Sequence, residues 1–378
     1  MSDLGGQTSW THTSGAQRIH FGIDALDRVA DVVKEINGRR VLLITTSGRR
    51  ASPAGERLVS RLGRLLVSVY DEARSHVPTT VVQAALQRAG ADGVDCVVSF
   101  GGGSCADLAK AVCFFTEQQA GLPGTSYLDR PALPHIAIPT TYSGAELTGV
   151  FGMTDEATKR KQSAGGPTTA PIAAIYDPVV TLDTPPRVSA ETGMNALAHG
   201  IECAYSPRRT PEAEAIALAC IARVSGSLPG VVDEPRDLRP RVAMFEGAAL
   251  GGRCLQNASM GVHHGLAQLV GGRTGMPHGL ANAIILAHAM RFNAEAAPAE
   301  LARIGVALGA ELGGPDDPAG AVDRLRARLS LPGGLSDCGM TDEDIEAVAR
   351  MAPSNPAVAA NIRPVSEDDA RQILEAAW

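Results

Sequence analysis

The period of the apolar residues changes part-way along the chain. In the first half, short apolar runs alternate with stretches of helical spacing. "RRVLLITTS" (39–47), "VSVYDEA" (67–73), "VDCVVSFGGGS" (94–104) and "HIAIPTT" (135–141) read as strands, most of them ending in polar or glycine residues. Between them, "GERLVSRLGRLL" (55–66) and "TVVQAALQRAGA" (80–91) have helical spacing. This alternation predicts a parallel, Rossmann-like sheet covered by helices on both faces, which binds ligands beyond the carboxyl ends of its strands. After "AAIYDPVVTLDTPP" (173–186), helical windows such as "PEAEAIALACIARV" (211–224), "ARIGVALGAELG" (302–313), "AVDRLRARLS" (321–330) and "DEDIEAVARMA" (342–352) dominate. The expected organisation is an α/β domain over 1–182 and an all-helical domain over 183–378.

One helical stretch stands apart. "TGMNALAHGIECAY" (192–205) places Asn195, His199 and Glu202 at i, i+4 and i+7, along one face. Met194, Leu197, Ile201 and Tyr205 form an opposite, core-facing stripe. The polar face is open to three readings: a metal site, the remains of one, or a solvated helix surface.

Composition narrows the function class. A chain of 378 residues exceeds what one core usually supports, which agrees with two domains. A net charge of −7 argues against nucleic acid or an anionic membrane as the main partner. The basic residues are thirty Arg and only four Lys. Seven Cys with no C-x-x-C pair read as buried free thiols of a reducing compartment. The first residues, "MSDLGGQTSWTHTSGAQ", lack the pattern of a secretory leader, and no run of about 18 apolar residues is apparent. A soluble, cytoplasmic protein is expected.

The glycines carry the first candidate chemistry. "SFGGGSCADLAKAV" (99–112) sets Gly101, Gly102, Gly103 and Ser104 between a strand and a helix, with Asp107 one turn on. Glycines permit close backbone approach, and free N–H groups at a helix start attract a pyrophosphate; a tight turn without ligand has the same sequence. A second loop, "IPTTYSGAELT" (138–148), offers Thr140, Thr141, Ser143 and Thr148 for phosphate or ribose, although such hydroxyls also satisfy their own backbone. "ITTSGRR" (44–50) supplies Thr46, Ser47, Arg49 and Arg50 and no acid, which would admit a 2′-phosphate and so NADPH beside NADH. Lys161, from the basic stretch "TDEATKRKQ" (154–162), and Leu182 complete the candidate cofactor set.

Nine His occur, four of them, His263, His264, His278 and His288, within 261–293. If His264 and His278 converge with His199, three imidazoles and an oxygen donor have the makings of a divalent transition-metal site.

With these motifs in place, the chain resembles the iron-containing alcohol dehydrogenase superfamily. The carriers are "GGGSCADLAKA", "IPTTYSGAELT", "AIYDPVVT", "MNALAHGIE" and "MPHGLANAIILAHAMRFN", in that order, and the likeness runs from "FGIDALDRVADVV" (21–33) to "RPVSEDDARQILEAAW" (363–378). The resemblance implies a dehydroquinate synthase-like fold: an N-terminal dinucleotide-binding α/β domain, an all-helical C-terminal domain and catalysis between them. It also implies a homodimer.

By motif position the superfamily's metal ligands fall on Asn195, His199, His264 and His278. The metal-dependent members have Asp where this chain has Asn195, and many have a further His where it has Gln268. A neutral amide binds Fe²⁺ or Zn²⁺ more weakly than a carboxylate, so no metal is expected. The branch that resembles this chain in the "TTYSG" loop, the "MNA-x-AH" helix, the "HH" pair and the "RPV…AW" ending is that of the maleylacetate reductases. They reduce the C=C bond of maleylacetate with NADH or NADPH to 3-oxoadipate in aromatic-compound breakdown.

That resemblance implies His264 or His278 as proton donor, with His199 holding the substrate oxygen. Tyr142, Arg253 and Arg273 are the expected contacts of the dianionic substrate. The alternative is a metal-dependent alcohol or aldehyde reductase with Asn195 as fourth ligand. A non-catalytic binding protein on the same scaffold is the third reading.

Overall fold

The computed structural model describes residues 17–121, 133–157 and 160–378, without the side chains of Arg160 and Lys161. Eight strands are described: β1 (Arg18–Phe21), β2 (Val41–Ile44), β3 (Leu66–Tyr70), β4 (Cys96–Gly101), β5 (His135–Pro139), β6 (Val150–Asp155), β7 (Arg160–Gly165) and β8 (Ala173–Tyr176). Six of them form one sheet in the order β1-β8-β5-β4-β2-β3, with every neighbour parallel. Four of these strands, β2 to β5, were expected from their apolar runs, whereas β8, inside "AAIYDPVVTLDTPP", was not assigned. The sixth, β1, is a short edge strand with Ile19 and Phe21 exposed, so its pattern carries little signal. The antiparallel hairpin β6–β7 was not anticipated either.

Five helices belong to the sheet: α1 (Val29–Glu35), α2 (Ser47–Arg50), α3 (Pro53–Leu62), α4 (Thr79–Ala91) and α5 (Gly103–Gln119). Side-chain alternation along β2 shows why both faces must be covered. Val41 and Leu43 pack with Val29, Val33, Leu58 and Leu62 of α1 and α3. Leu42 and Ile44 pack with Val82, Leu108 and Val112 of α4 and α5. Burying each such side chain contributes about 1.5–3 kcal/mol.

From residue 186 onwards the described structure is helical: α6 (Pro186–Tyr205), α7 (Pro211–Asp233), α8 (Leu238–Asn257), α9 (Val262–Thr274), α10 (His278–Asn293), α11 (Pro298–Leu308), α12 (Pro318–Arg328), α13 (Asp342–Met351), α14 (Pro356–Ala359) and α15 (Glu367–Ala376). A single apolar cluster gathers α6, α7, α8 and part of α10, and reaches Tyr142, Leu147, Ala174 and Tyr176 of the first half. The halves therefore share a core along α6.

The structure removes one of the three readings of the α6 polar face and corrects one expectation. The polar face of α6 is not solvated: Asn195, His199 and Glu202 are 4%, 3% and 1% exposed. And α7 contains an 18-residue window of mean hydropathy 1.7, long and apolar enough to cross a membrane; 50% of that window is buried, and the helix packs on α6 and α8. All seven cysteines are free, six of them buried.

Candidate active site

The histidine side of the site is assembled from three helices. His199 projects from the middle of α6, His264 from the first turn of α9, and His278 opens α10. The rings of His199 and His264 stack at 4.8 Å, and His278 lies 6.1 Å from His264. Burial, reinforced by the neighbouring imidazoles, holds His199 well below the usual histidine pKa, so it is neutral at pH 7.

Glu202, one turn after His199, sets the register of α9. It accepts the backbone N–H groups of His263 at 3.1 Å and His264 at 3.3 Å, while Asn361 Oδ1 accepts that of Val262 at 3.2 Å. The first three N–H groups of α9 are thus capped by side chains from outside the helix. Glu202 Oε2 also accepts His264 Nδ1–H at 2.5 Å, which turns His264 Nε2 away from the carboxylate. Burial alone would raise the Glu202 carboxyl, but hydrogen bonds from His263 and His264 carry it well below the usual carboxylate range. His264 is lowered by burial and raised back in part by Glu202. His263 Nε2–H donates to the Asn282 carbonyl at 2.9 Å, tying α9 to α10.

Asn195 sits one turn before His199. Its Oδ1 accepts from Asn282 Nδ2 at 2.9 Å, and its Nδ2 donates to the Ser143 carbonyl at 3.4 Å. Position 195 is therefore bound on one side to α10 and on the other to the loop after β5.

The opposite wall is made at the ends of β4 and β5. Gly101 has φ +154°, and a Cβ there would collide with Cys105 Sγ, so only glycine lets the chain turn from β4 into α5. A Cβ on Gly103 would stand 3.1 Å from Ser143 Oγ, so the glycine turn and the Thr140–Ser143 loop approach closely. No side chain caps the start of α5, leaving its first N–H groups to a ligand. Among the described residues of this cleft, buried polar atoms without a hydrogen-bond partner include Thr140 Oγ1, Thr141 Oγ1, Ser143 Oγ, His199 Nδ1 and His264 Nε2. Each such atom costs about 1–3 kcal/mol unless something satisfies it. A ligand with phosphate or hydroxyl groups on one side and a carbonyl or carboxylate on the other would satisfy them.

Other expected residues are placed differently. Thr46 caps α2 by accepting Arg49 N–H at 3.3 Å. Arg49 reaches Thr184 Oγ1 at 2.7 Å, which itself donates to the Thr140 carbonyl at 2.7 Å. The guanidinium is thus drawn across the strand ends towards the cleft. Gly102, just before α5, and Ser104, in its first turn, are half-buried, and Leu182 is half-buried after the 178–181 turn.

Asp107 turns away from the glycines: it pairs with Lys110 Nζ at 2.8 Å and accepts the Gly152 N–H at 3.3 Å. Thr148 holds its own loop, donating to the Val150 carbonyl at 3.3 Å. The Lys161 side chain lies outside the described residues.

Two substrate candidates are displaced from the cleft. Tyr142 is fully buried, edge-on to Phe245, with its hydroxyl 3.4 Å from Arg241. Arg273, at the far end of α9, bonds to Asp344 at 2.7 Å and Glu343 at 3.3 Å on the surface. Arg253 stays beside the Ser143–Gly144 loop, next to Gly252, and donates to Gln256 at 2.8 Å. Glu202 was visible as part of the α6 polar stripe, but not as the cap of α9. Asn282 and the fully buried Lys110, which donates to the Ala145 and Val150 carbonyls, were missed. Asn282 had one available signal, its place four residues after His278, on the same helix face.

Two family descriptions match this arrangement: "Iron-containing alcohol dehydrogenase" over residues 16–178, and "Fe-containing alcohol dehydrogenase family, C-terminal" over residues 189–378. The chain belongs to the iron-containing alcohol dehydrogenase family. It is 33% identical over 369 residues to a maleylacetate reductase of Rhizobium sp. (strain MTP-10005), covering 98% of this chain and 97% of that one. The solved maleylacetate reductase of Agrobacterium tumefaciens superposes with a TM-score of 0.86 at 31% identity, over 98% of this chain and 99% of that one. The iron-containing alcohol dehydrogenase of Corynebacterium glutamicum ATCC 13032 also superposes with a TM-score of 0.86, at 28% identity over 98% and 97%. The chain is thus an oxidoreductase of this family.

Proposed function

We propose that the chain is a maleylacetate reductase, reducing the C=C bond of maleylacetate to 3-oxoadipate with NADH or NADPH. The observation that carries this reading is the composition of the histidine wall. It presents three imidazoles and a neutral amide, in a chain whose relatives of 30–36% identity bear that name.

The donor set fits a resident metal poorly. A divalent site would need Asn195 Oδ1, already accepting from Asn282, and would have no anion among Asn195, His199, His264 and His278. The nearest carboxylate, Glu202, accepts three N–H groups from α9. The donors of Gly102, Gly103, Thr140, Thr141 and Ser143 fit a pyrophosphate and ribose, with Arg49 beside them.

When bound, the reduced nicotinamide supplies a hydride to the alkene carbon β to the ketone. The alkene electron pair then passes to the ketone oxygen as an enolate, which is held by donors on the α6 side. His264, whose Nδ1–H is fixed by Glu202, gives the proton on Nε2 to the α-carbon, and the anionic Glu202 offsets the imidazolium charge before transfer. Arg253 is the guanidinium placed to meet a substrate carboxylate.

The test is oxidation of NADH and NADPH by maleylacetate, with protein dialysed against EDTA and its metal content measured. Turnover of metal-free protein is expected. Turnover that appears only after Zn²⁺ or Fe²⁺ is restored would replace this reading with a metal-dependent reductase.

A further inference from the structure

The orientation of Asn195 follows from groups that can only accept. Asn282 lies on α10 with its Nδ2 2.8 Å from the His278 carbonyl, four residues back. A backbone carbonyl takes hydrogen bonds and gives none, so the end of Asn282 facing it is the NH₂. The second N–H of that NH₂ goes to Asn195 at 2.9 Å, which must therefore present Oδ1 to Asn282. The Asn195 NH₂ then points the other way, towards the Ser143 carbonyl at 3.4 Å, again an atom that only accepts. Both ends of the amide pair are anchored on main chain, and the pair is buried: Asn195 is 4% exposed and Asn282 0%.

The NH₂ of Asn195 has two protons, and Ser143 takes one of them. His199 follows on the next turn of α6, with Nδ1 buried and without a partner; a Cβ on Gly144 would stand 3.7 Å from it. Two polar groups from one helix thus converge beside the Ser143–Gly144 loop.

We propose that Asn195 N–H and His199 Nδ1–H form the pocket for the enolate oxygen, and that Asn282 is the positioning residue that holds Asn195 donor-side out. This rests on the reductase reading above and names the atoms that serve it. The ketone oxygen gains the alkene electron pair as the hydride adds to the β-carbon. The two N–H groups stabilise that charge, and it returns to carbon when the α-carbon is protonated. Donors arranged before the charge develops act mainly on kcat.

The experiment is a double-mutant cycle on kcat for maleylacetate reduction, with Asn195→Ala, Asn282→Ala and the pair. NADH binding is followed by fluorescence and folding by circular dichroism. Asn195→Ala should lower kcat roughly 100-fold with little change in KM, the size expected for one lost oxyanion donor. Asn282→Ala should lower kcat about tenfold in the wild-type background and leave it unchanged in the Asn195→Ala background. Losses that multiply would make Asn282 a packing residue and overturn its role. A raised KM with unaltered kcat would move Asn195 from the developing charge to ground-state binding. If Asn195→Ala fails to fold, Asn195→Asp in EDTA-dialysed protein replaces it: a carboxylate still accepts from Asn282 but cannot donate, and the same loss of kcat is expected. If Asn282→Ala fails to fold, Asn282→Leu, of similar size and without a donor, takes its place in the cycle. Wild-type protein inactive on maleylacetate would overturn the reductase reading and this pocket together, whereas an active wild type with multiplicative losses sinks only the pocket.

Discussion

Replacing Glu202 by Gln tests the part of the site that depends most on tertiary structure. The carboxylate accepts three N–H groups: two from the α9 backbone and His264 Nδ1–H at 2.5 Å. A glutamine has the same shape but only one acceptor oxygen; in the place of Oε2 its NH₂ faces both the backbone N–H and the Nδ1–H of His264. The charge-assisted bond from the backbone N–H, about 1.5–3 kcal/mol, is lost, whereas the ring can answer by changing tautomer. The anion at the start of α9 goes with it, worth about 0.3–1 kcal/mol and up to about 2 in a partly buried geometry. A loss of about 2–5 kcal/mol in unfolding free energy is expected, read as a lower urea midpoint with an unchanged slope. The catalytic effect is separable. With the NH₂ beside Nδ1, His264 flips to its other tautomer, and the carboxylate that offset its imidazolium charge is gone. Analogous losses of an orienting carboxylate cost up to about 10⁴ in kcat. A fall of roughly 10²–10⁴ is expected, with NADH affinity within about twofold of wild type because the glycine wall is untouched. A variant destabilised as described but turning over at near wild-type rate would refute His264 as the proton donor.

Three further outcomes are expected. Arg273→Ala should leave kcat and KM within about twofold of wild type, because its partners are Asp344 and Glu343 on the surface; a large rise in the KM for maleylacetate would return it to the substrate site. Gly103→Val should weaken NADH binding at least tenfold by titration calorimetry, since even a Cβ there meets Ser143 Oγ at 3.1 Å; unchanged affinity would remove the glycine turn from the cofactor site. Stability should also fall on acidification through His135, which burial pushes down from 6.5 to about 3. Between those values the unfolded chain binds the extra proton, so unfolding free energy drops by up to about 1.4 kcal/mol per pH unit as pH is lowered. Urea midpoints at pH 6.5 and 5 should converge for His135→Gln relative to wild type, and equal pH sensitivity in both would exclude His135 as the cause.

What was readable in advance is what local chemistry controls. Apolar runs such as "VLLI" and "CVVSF" must be buried wherever they lie, so β2 and β4 announced themselves, and glycines had to follow β4 because Gly101 adopts φ +154°. The spacing of Asn195, His199 and Glu202 on one helix face is equally local. The short edge strand β1, the four-residue β8 with its run AAIY, and the polar hairpin β6–β7 escaped notice because none carries a strong apolar signal.

The tertiary structure decided what those residues do. A polar stripe at helical spacing is the same string whether it meets water or another helix. Only the packing of α9 and α10 against α6 buries it and turns Glu202 towards His264, 62 residues further on. The same packing brings Asn282 to Asn195 across 87 residues and so determines which end of that amide faces the cleft. It also removes Tyr142 into the shared core beside Phe245 and Arg241, and carries Arg273 to the far end of α9, on the surface. Hydrophobic periodicity is set by neighbours three or four residues away, and it made the elements legible. Hydrogen-bond direction in a buried site is set by partners that only folding brings within 3 Å, and no local pattern encodes it.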